Sequence, residues 1–271
     1  MQLAAYFKRI NLTAPAQPSL KHLRTLHRAH VTAIPFENLD IHYPQRILLE
    51  PDRFFDKIVR RQRGGFCYEQ NGLFYQILQL MGYQASLISA SVYQPDLDDF
   101  GPPAAHVAIM AELEDRQWLV DVGFGSSFPE PLLLEIDQVQ EQDGVKYVIK
   151  SMEDNIFLLD RSFDGGNSYT PMYRFDVIPR ELSSFQEMCD FHQSSEASPL
   201  FRKKLISLAK PGGRLTLTST QLIMTEGGNR KVTELKGEAD FRQKLQQHFG
   251  FCVINDKVQY VSPNQKPITH P

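Results

Sequence analysis

Over the first 83 residues the apolar positions recur at helical spacings. Ser19 stands as an N-cap before Leu20, Leu23 and Leu26, which predicts a helix starting there and ended by Pro35; Phe54, Phe55, Ile58 and Val59 mark another. Leu73, Phe74, Ile77, Leu78 and Met81 follow an i, i+1, i+4, i+5, i+8 pattern, so a helix is predicted from about Cys67 to Met81, closed by Gly82. After Gly82 the texture changes to "SLISASVY", "HVAIMAEL", "WLVDVGF", "LLLEI" and "KYVIK", runs rich in valine and isoleucine that read as antiparallel strands. A helix, "SSFQEMCDFHQ", leads to "RLTLTS", "QLIMTE" and "KVTEL", with a tight turn at Gly227 and Gly228. A last helix, "EADFRQKLQQHFG", carries Phe241, Leu245 and Phe249 as one stripe. The pattern divides the chain into a helical unit (1–83), a strand-rich unit (84–185) and a helix with a small α/β unit (186–271), an α+β organisation without internal repeats.

The 271-residue length agrees with two or three packed domains. A hydrophobic share of 42% and a charged share of 23% are ordinary for a soluble globular protein and exclude disorder. The net charge of −3, without long runs of one sign, gives nucleic acid or an anionic membrane nothing to bind, so a small molecule becomes the default partner. Neither a signal-type apolar stretch nor a membrane-length run occurs, and a cytoplasmic protein is expected. Cys67, Cys189 and Cys252 form no close pair, which argues against a disulfide framework or a four-cysteine zinc site.

In "RGGFCYEQNGLF", Cys67 falls in the first turn of a predicted helix, where unpaired N–H groups and the positive end of the helix dipole favour a thiolate. Gly64 and Gly65 before it admit a close approach by another group. Most lone cysteines are instead small buried hydrophobes, and only a partner base would overturn that reading. His22, His27 and His30 on the second predicted helix read as a solvated face, and His42, His248 and His270 have no supporting neighbours. Cys189 and His192 in "CDFH" have a spacing that suits one metal-binding helix face, but no second ligand pair accompanies them and no metal is expected.

His106 differs because it opens "HVAIMAEL", and the next strand, "WLVDVGFG", holds Asp121 between Val120 and Val122, where a carboxylate needs hydrogen bonds to be buried. Hairpin partners share a face, so His106 and Asp121 face the same way only if paired residue numbers sum to an odd value. A sum of 227 sets them opposite and 229 leaves them in diagonal reach; 231, which best centres the polar turn "EDRQ", separates them. The pattern alone leaves all three open.

The segments "IPFENLDIH", "RGGFCYEQNGLF", "HVAIMAEL" with "VDVGFG", "PMYRF" and "SSFQEMCDFHQSSEASPLF" resemble, in order and over nearly the whole chain, the arylamine N-acetyltransferases of bacterial type, including N-hydroxyarylamine O-acetyltransferases. The resemblance implies a helical bundle, an antiparallel β-barrel and an α/β lid, the first two arranged as in papain-like enzymes and transglutaminases. It implies a Cys67, His106 and Asp121 triad, which would require His106 and Asp121 to touch. It implies acetyl-CoA as co-substrate, no bound cofactor, and ping-pong transfer through an acetyl-cysteine to an aromatic amine, hydrazine or N-hydroxyarylamine. Phe36 and Phe124 match acceptor-pocket positions, Phe201 and Gly125 coenzyme A contacts, and Glu37 with Arg63 a pair bracing the cysteine loop. Two departures stand out. Pro102 and Pro103 precede the histidine where relatives use a backbone amide, which moves the expected oxyanion donors to Cys67 N–H with Ala104 or Ala105, and Ser126 and Ser127 stand where many relatives continue with glycine. A papain-like or transglutaminase-like thiol enzyme acting on amides, or a non-catalytic relative, would share the same residues.

Overall fold

Helices dominate the first part of the chain, strands the middle, and a helix with a mixed unit the last, as the periodicities predict. The structure is a computed structural model and describes residues 2–13, 17–43, 45–153 and 155–261; His270 lies outside them. The N-terminal helices are α1 (Leu3–Arg9), α2 (Leu20–Ala33), α3 (Leu39–His42), α4 (Pro51–Phe55) and α5 (Cys67–Leu80). Ser19 caps α2 by accepting the His22 N–H, and the helix stops two residues before Pro35, whose ring disfavours helical backbone ahead of it. The Phe54 to Val59 stretch is irregular: α4 runs into a π-helical turn over Asp56–Arg60, which turns Lys57 inward to be buried beside Ile58 and Val59. Gly82, at φ 84°, ends the turn after α5.

The central sheet is antiparallel and nearly closes on itself. Its strands are β2 (Gln84–Gln94), β3 (Asp99–Phe100), β4 (His106–Leu113), β5 (Arg116–Val120), β6 (Leu132–Leu133), β7 (Gln140–Gln142), β8 (Val145–Glu153), β9 (Ile156–Ser162) and β10 (Thr170–Asp176), with β1 (Phe36–Glu37) belonging elsewhere. Their order is β6-β5-β4-β2-β10-β9-β8-β7, with β3 pairing β2. One face of β4 and β5, including Val107, Ile109, Trp118 and Val120, packs on the helices in a common core, and the other, including Ala108, Met110 and Leu119, fills the barrel. The alternation of side chains along a strand assigns neighbouring residues to two different cores.

After a 3₁₀ turn come α6 (Gln186–Ser194) and α7 (Pro199–Arg202), then β11 (Leu205–Lys210), β12 (Gly213–Thr218), β13 (Gln221–Glu226), β14 (Asn229–Glu234), α8 (Glu238–Phe249), β15 (Phe251–Ile254) and β16 (Lys257–Tyr260). The second sheet runs β1-β11-β12-β13-β14, so a strand from the helical region anchors it. Phe241, Leu245 and Phe249 of α8 close its core against Ile206 and Leu217. Among the described residues no helix is long and apolar enough to cross a membrane.

Candidate active site

The β4–β5 hairpin decides whether His106 meets Asp121. Ile109 pairs Val120 and Met110 pairs Leu119, so the register sum is 229, the diagonal case. The turn is Glu114-Asp115 alone, both at positive φ, 55° and 56°, the backbone of a two-residue I′ hairpin turn. Centring all four residues of "EDRQ" would have given a longer loop; the primed turn keeps Arg116 and Gln117 in the ladder. Strand β5 ends at Val120, so Asp121 is the first residue beyond the sheet rather than a strand residue as the pattern suggested.

Leaving the ladder allows the carboxylate to collect donors. Asp121 Oδ2 accepts His106 Nε2–H at 2.8 Å; Oδ1 accepts Asn71 Nδ2 at 2.8 Å and the Gly123 and Phe124 amides at 3.0 Å each. Burial alone would raise the Asp121 carboxyl, but His106, Asn71 and the Gly123 amide hold it below its ordinary 3.8. For His106, burial opposes the charged form, and the Asp121 carboxylate followed by the hydrogen bond and charge of Cys67 overrides it, carrying the imidazole from 6.5 to about 10. With Nε2 committed to Asp121, Nδ1 is the nitrogen left for Cys67.

Cys67 is buried at the first position of α5, where its own N–H has no intrahelical acceptor. Beneath it lies a cluster of five buried charges. Lys57 Nζ sits 2.9 Å from Glu69 Oε1 and Asp40 Oδ2; Arg63 sends Nη2 to Glu37 at 2.6 Å and to Asp40 at 2.8 Å, and Nη1 to Val258 O at 2.7 Å. Glu69 accepts the Phe66 N–H at 3.1 Å, fixing the residue before the cysteine. Burial pushes the Glu69 carboxyl up to about 7 despite Lys57. Gly64 permits this loop because a Cβ there would lie 2.1 Å from Pro35 O.

The loop after Asp121 lies against the Cys67 backbone. A Cβ on Gly123 would lie 2.9 Å from Cys67 Cα and Cys67 O, the Phe124 ring sits 5.3 Å from that of His106, and the Gly125 Cβ position is 3.5 Å from the Phe36 ring. Phe124 thus belongs to this loop and Phe36 packs against it. Phe201 is half-buried on α7, and Gly125 O accepts Arg214 Nη1 at 2.6 Å. Neither expected alanine amide points freely at the site: Ala104, at φ 60°, donates to Ser89 Oγ at 2.9 Å, Ala105 turns to Pro102 O at 3.4 Å, and Tyr68 OH ties Ala104 O. The tight turn after the two prolines uses these groups internally.

Of the three α2 histidines expected on a solvated face, His22 is half-exposed with its Nδ1 against Gln17 O, and the other two are not solvated. His27 and His30 are fully buried; His27 Nε2 accepts the Asp121 N–H while its Nδ1 donates to Pro129 O, and burial pushes it down to about 4. His30 joins Tyr6 OH to Gln70 Oε1. A signal was present, since His27 and His30 fall at i+4 and i+7 from Leu23 and share its stripe. Asn71, also missed, lies one turn after Cys67 as a buried amide on a helix face. His192 bonds Ser198 Oγ and Ala105 O, and Cys189 receives Gln193; no three His, Cys, Asp or Glu side chains gather for a metal among the described residues.

A helix bearing a thiol at its start, packed on an antiparallel sheet that presents an imidazole and a carboxylate, is the arrangement of the papain-like thiol enzymes. The sequence profile of the N-acetyltransferase family matches residues 19–258. A Salmonella typhimurium arylamine N-acetyltransferase / N-hydroxyarylamine O-acetyltransferase is 32% identical over 94% of this chain and 90% of its own length. The solved arylamine N-acetyltransferase from Salmonella typhimurium aligns with a TM-score of 0.85 at 30% identity, covering 93% and 92% of the two chains. That of Mycobacterium marinum, solved in complex with CoA, aligns at 0.84 and 27% over 92% of each. The chain belongs to the arylamine N-acetyltransferase family.

Proposed function

We propose that this enzyme moves an acetyl group from acetyl-CoA to an arylamine, arylhydrazine or N-hydroxyarylamine through an acetyl-Cys67 intermediate, with Cys67, His106 and Asp121 as its triad. The observation that carries the reading is the His106 imidazole, fixed by Asp121 at 2.8 Å and raised to about 10 beside a thiol at a helix start. In the first half-reaction the Cys67 sulfur attacks the thioester carbonyl, the C–S bond to coenzyme A breaks, and His106 protonates the leaving thiolate. In the second the acceptor nitrogen or oxygen attacks acetyl-Cys67, His106 takes its proton, and the cysteine leaves as thiolate. One thioester becomes another in the first step, so little free energy is lost. The Cys67 N–H stands at the developing oxyanion. Phe36 and Phe124 wall the acceptor side, Phe201 and Gly125 lie along the coenzyme A approach, and the Glu37–Arg63 pair braces the cysteine loop. The division into residues 1–83, 84–185 and 186–271 assigns the thiol to the first unit and its two partners to the second.

Mass spectrometry after brief exposure to acetyl-CoA without acceptor tests this directly. One acetyl group on Cys67 is expected; acetylation of Cys189 or Cys252 instead, or none, overturns the mechanism.

A further inference from the structure

Arg161 on β9 and Arg214 on β12 belong to different sheets, yet their guanidiniums converge on the loop at residues 125–127. Arg214 Nη1 donates to Gly125 O at 2.6 Å and Ser207 Oγ at 3.1 Å, and its Nη2 reaches Ser127 O at 3.4 Å. Arg161 Nη1 donates to Ser126 O at 3.3 Å and to the Ser126 hydroxyl at 2.8 Å. All these acceptors are neutral. Among the described residues neither guanidinium has a carboxylate within salt-bridge distance, and Arg161 Nε is buried without any partner. The contrast is Arg63, whose guanidinium is held by Glu37 and Asp40. Burial lowers both arginines, Arg214 to about 10 with Arg161 contributing by repulsion. Two like charges brought together without a counter-charge are costly unless something anionic joins them.

Their position gives the charge a use. The loop they hold begins at Asp121, lies against Cys67 at Gly123 and presents Phe124 to His106. Ser126 is three positions along the chain from Gly123, at most about 11 Å away. Ser207, which Arg214 contacts, is the strand partner of Phe36. Each guanidinium has five donors in a planar fork, and those not spent on the loop match a carboxylate or phosphate.

We propose that Arg161 and Arg214 form a subsite for an anionic group on a substrate, either a carboxylate on the ring of the aromatic acceptor or a phosphate on the acyl carrier. The inference rests on Cys67 being the acyl-accepting group. Ser126 supplies the hydroxyl that orients Arg161.

Two matched comparisons test it: 4-aminobenzoate against its methyl ester with a common donor, and acetyl-CoA against phosphate-free acetyl-pantetheine with a common acceptor. In Arg161→Gln and Arg214→Gln one ratio of kcat/KM should fall by about tenfold or more, the loss of a charge-assisted hydrogen bond. A fall in the aminobenzoate ratio identifies the acceptor carboxylate, and a fall in the coenzyme A ratio identifies the phosphate. A role confined to holding the loop would lower both members of each pair equally; unchanged ratios in both variants overturn the subsite. Should the variants not fold, thermal shifts of the wild-type protein decide: benzoate should stabilise it more than benzamide, or coenzyme A more than pantetheine, and equal shifts within both pairs overturn it. Acetyl transfer with unmoved ratios refutes the subsite alone. No transfer from either donor refutes the role of Cys67, and the thermal shifts then still judge the subsite.

Discussion

Asp121 accepts four N–H donors and offers none, which makes it the most constrained side chain of the site. An asparagine there would turn an NH₂ toward at least one of those donors and remove the charge that holds the imidazolium. Asp121→Asn is therefore expected to slow acetyl transfer per folded molecule by roughly four orders of magnitude, as in a comparable triad, while unfolding in urea loses only about 1–3 kcal/mol. Ordinary transfer by a folded variant would remove Asp121 from the mechanism. His106 supplies a pH test. Its folded value, about 10, lies above its ordinary 6.5, so the stability it contributes is complete below 6.5 and is lost as pH rises through 10. The stability gap between wild type and His106→Gln should accordingly narrow across that window, and a constant gap would show that no imidazolium is held. At this scale the sequence made the residue types legible but not their partners. Asp121 between two valines announced a need for donors, and the Gly123 and Phe124 amides that meet it are local, whereas Asn71 and the His27 ring on its backbone come from segments whose apposition no local pattern encodes.

Elements carry the alignment between these residues. Helix α5 and the loop after β5 touch where Gly123 meets Cys67, and an added Cβ would press on backbone atoms that cannot rotate away. Gly123→Ala should cost about 1–3 kcal/mol by overpacking and slow acetylation of Cys67 roughly a hundredfold, since a shift near 1 Å at reacting groups has that effect. Gly125→Ala, whose Cβ makes ordinary contact with Phe36, should lose less stability in the same urea titration. Losses of equal size would show that the Gly123 approach is not tight. The extent of α5 was readable because its apolar spacing, first-turn cysteine and Gly82 agree. The hairpin register was not. Glu-Asp is a poor signal for a primed turn, which asparagine and glycine usually mark, so centring the polar run pointed two positions away. The π-helical turn was equally hidden, because Ile58 and Val59 keep an apolar rhythm that an α-helix would also satisfy, while the burial of Lys57 depends on three carboxylates from elsewhere.

Across the molecule, ionic and polar ties join parts far apart in the chain. Arg28 of α2 grips Glu130 and Asp143 of the barrel region, Asn38 receives and donates along the α7–β11 connection, and Arg63 reaches Val258 of the terminal hairpin. The cluster under Cys67 is the most consequential, because among the described residues Glu37, Asp40 and Glu69 are ion-paired only with Lys57 and Arg63, three carboxylates against two cations. Glu69, at about 7, supplies the missing proton around neutrality. Lys57→Met fills similar space but leaves the three acids with one cation, and breaking such a buried arrangement costs about 3–5 kcal/mol. Protonation should relieve part of that cost. A carboxyl with a raised folded value takes up a proton on folding, so its environment becomes more favourable as pH falls through that value and less so above it. The deficit of Lys57→Met relative to wild type, followed by urea unfolding, should therefore be largest near pH 8 and shrink toward pH 5 as the crowded acids protonate. A deficit independent of pH would mean that lost packing, rather than stranded charge, is what the lysine prevents.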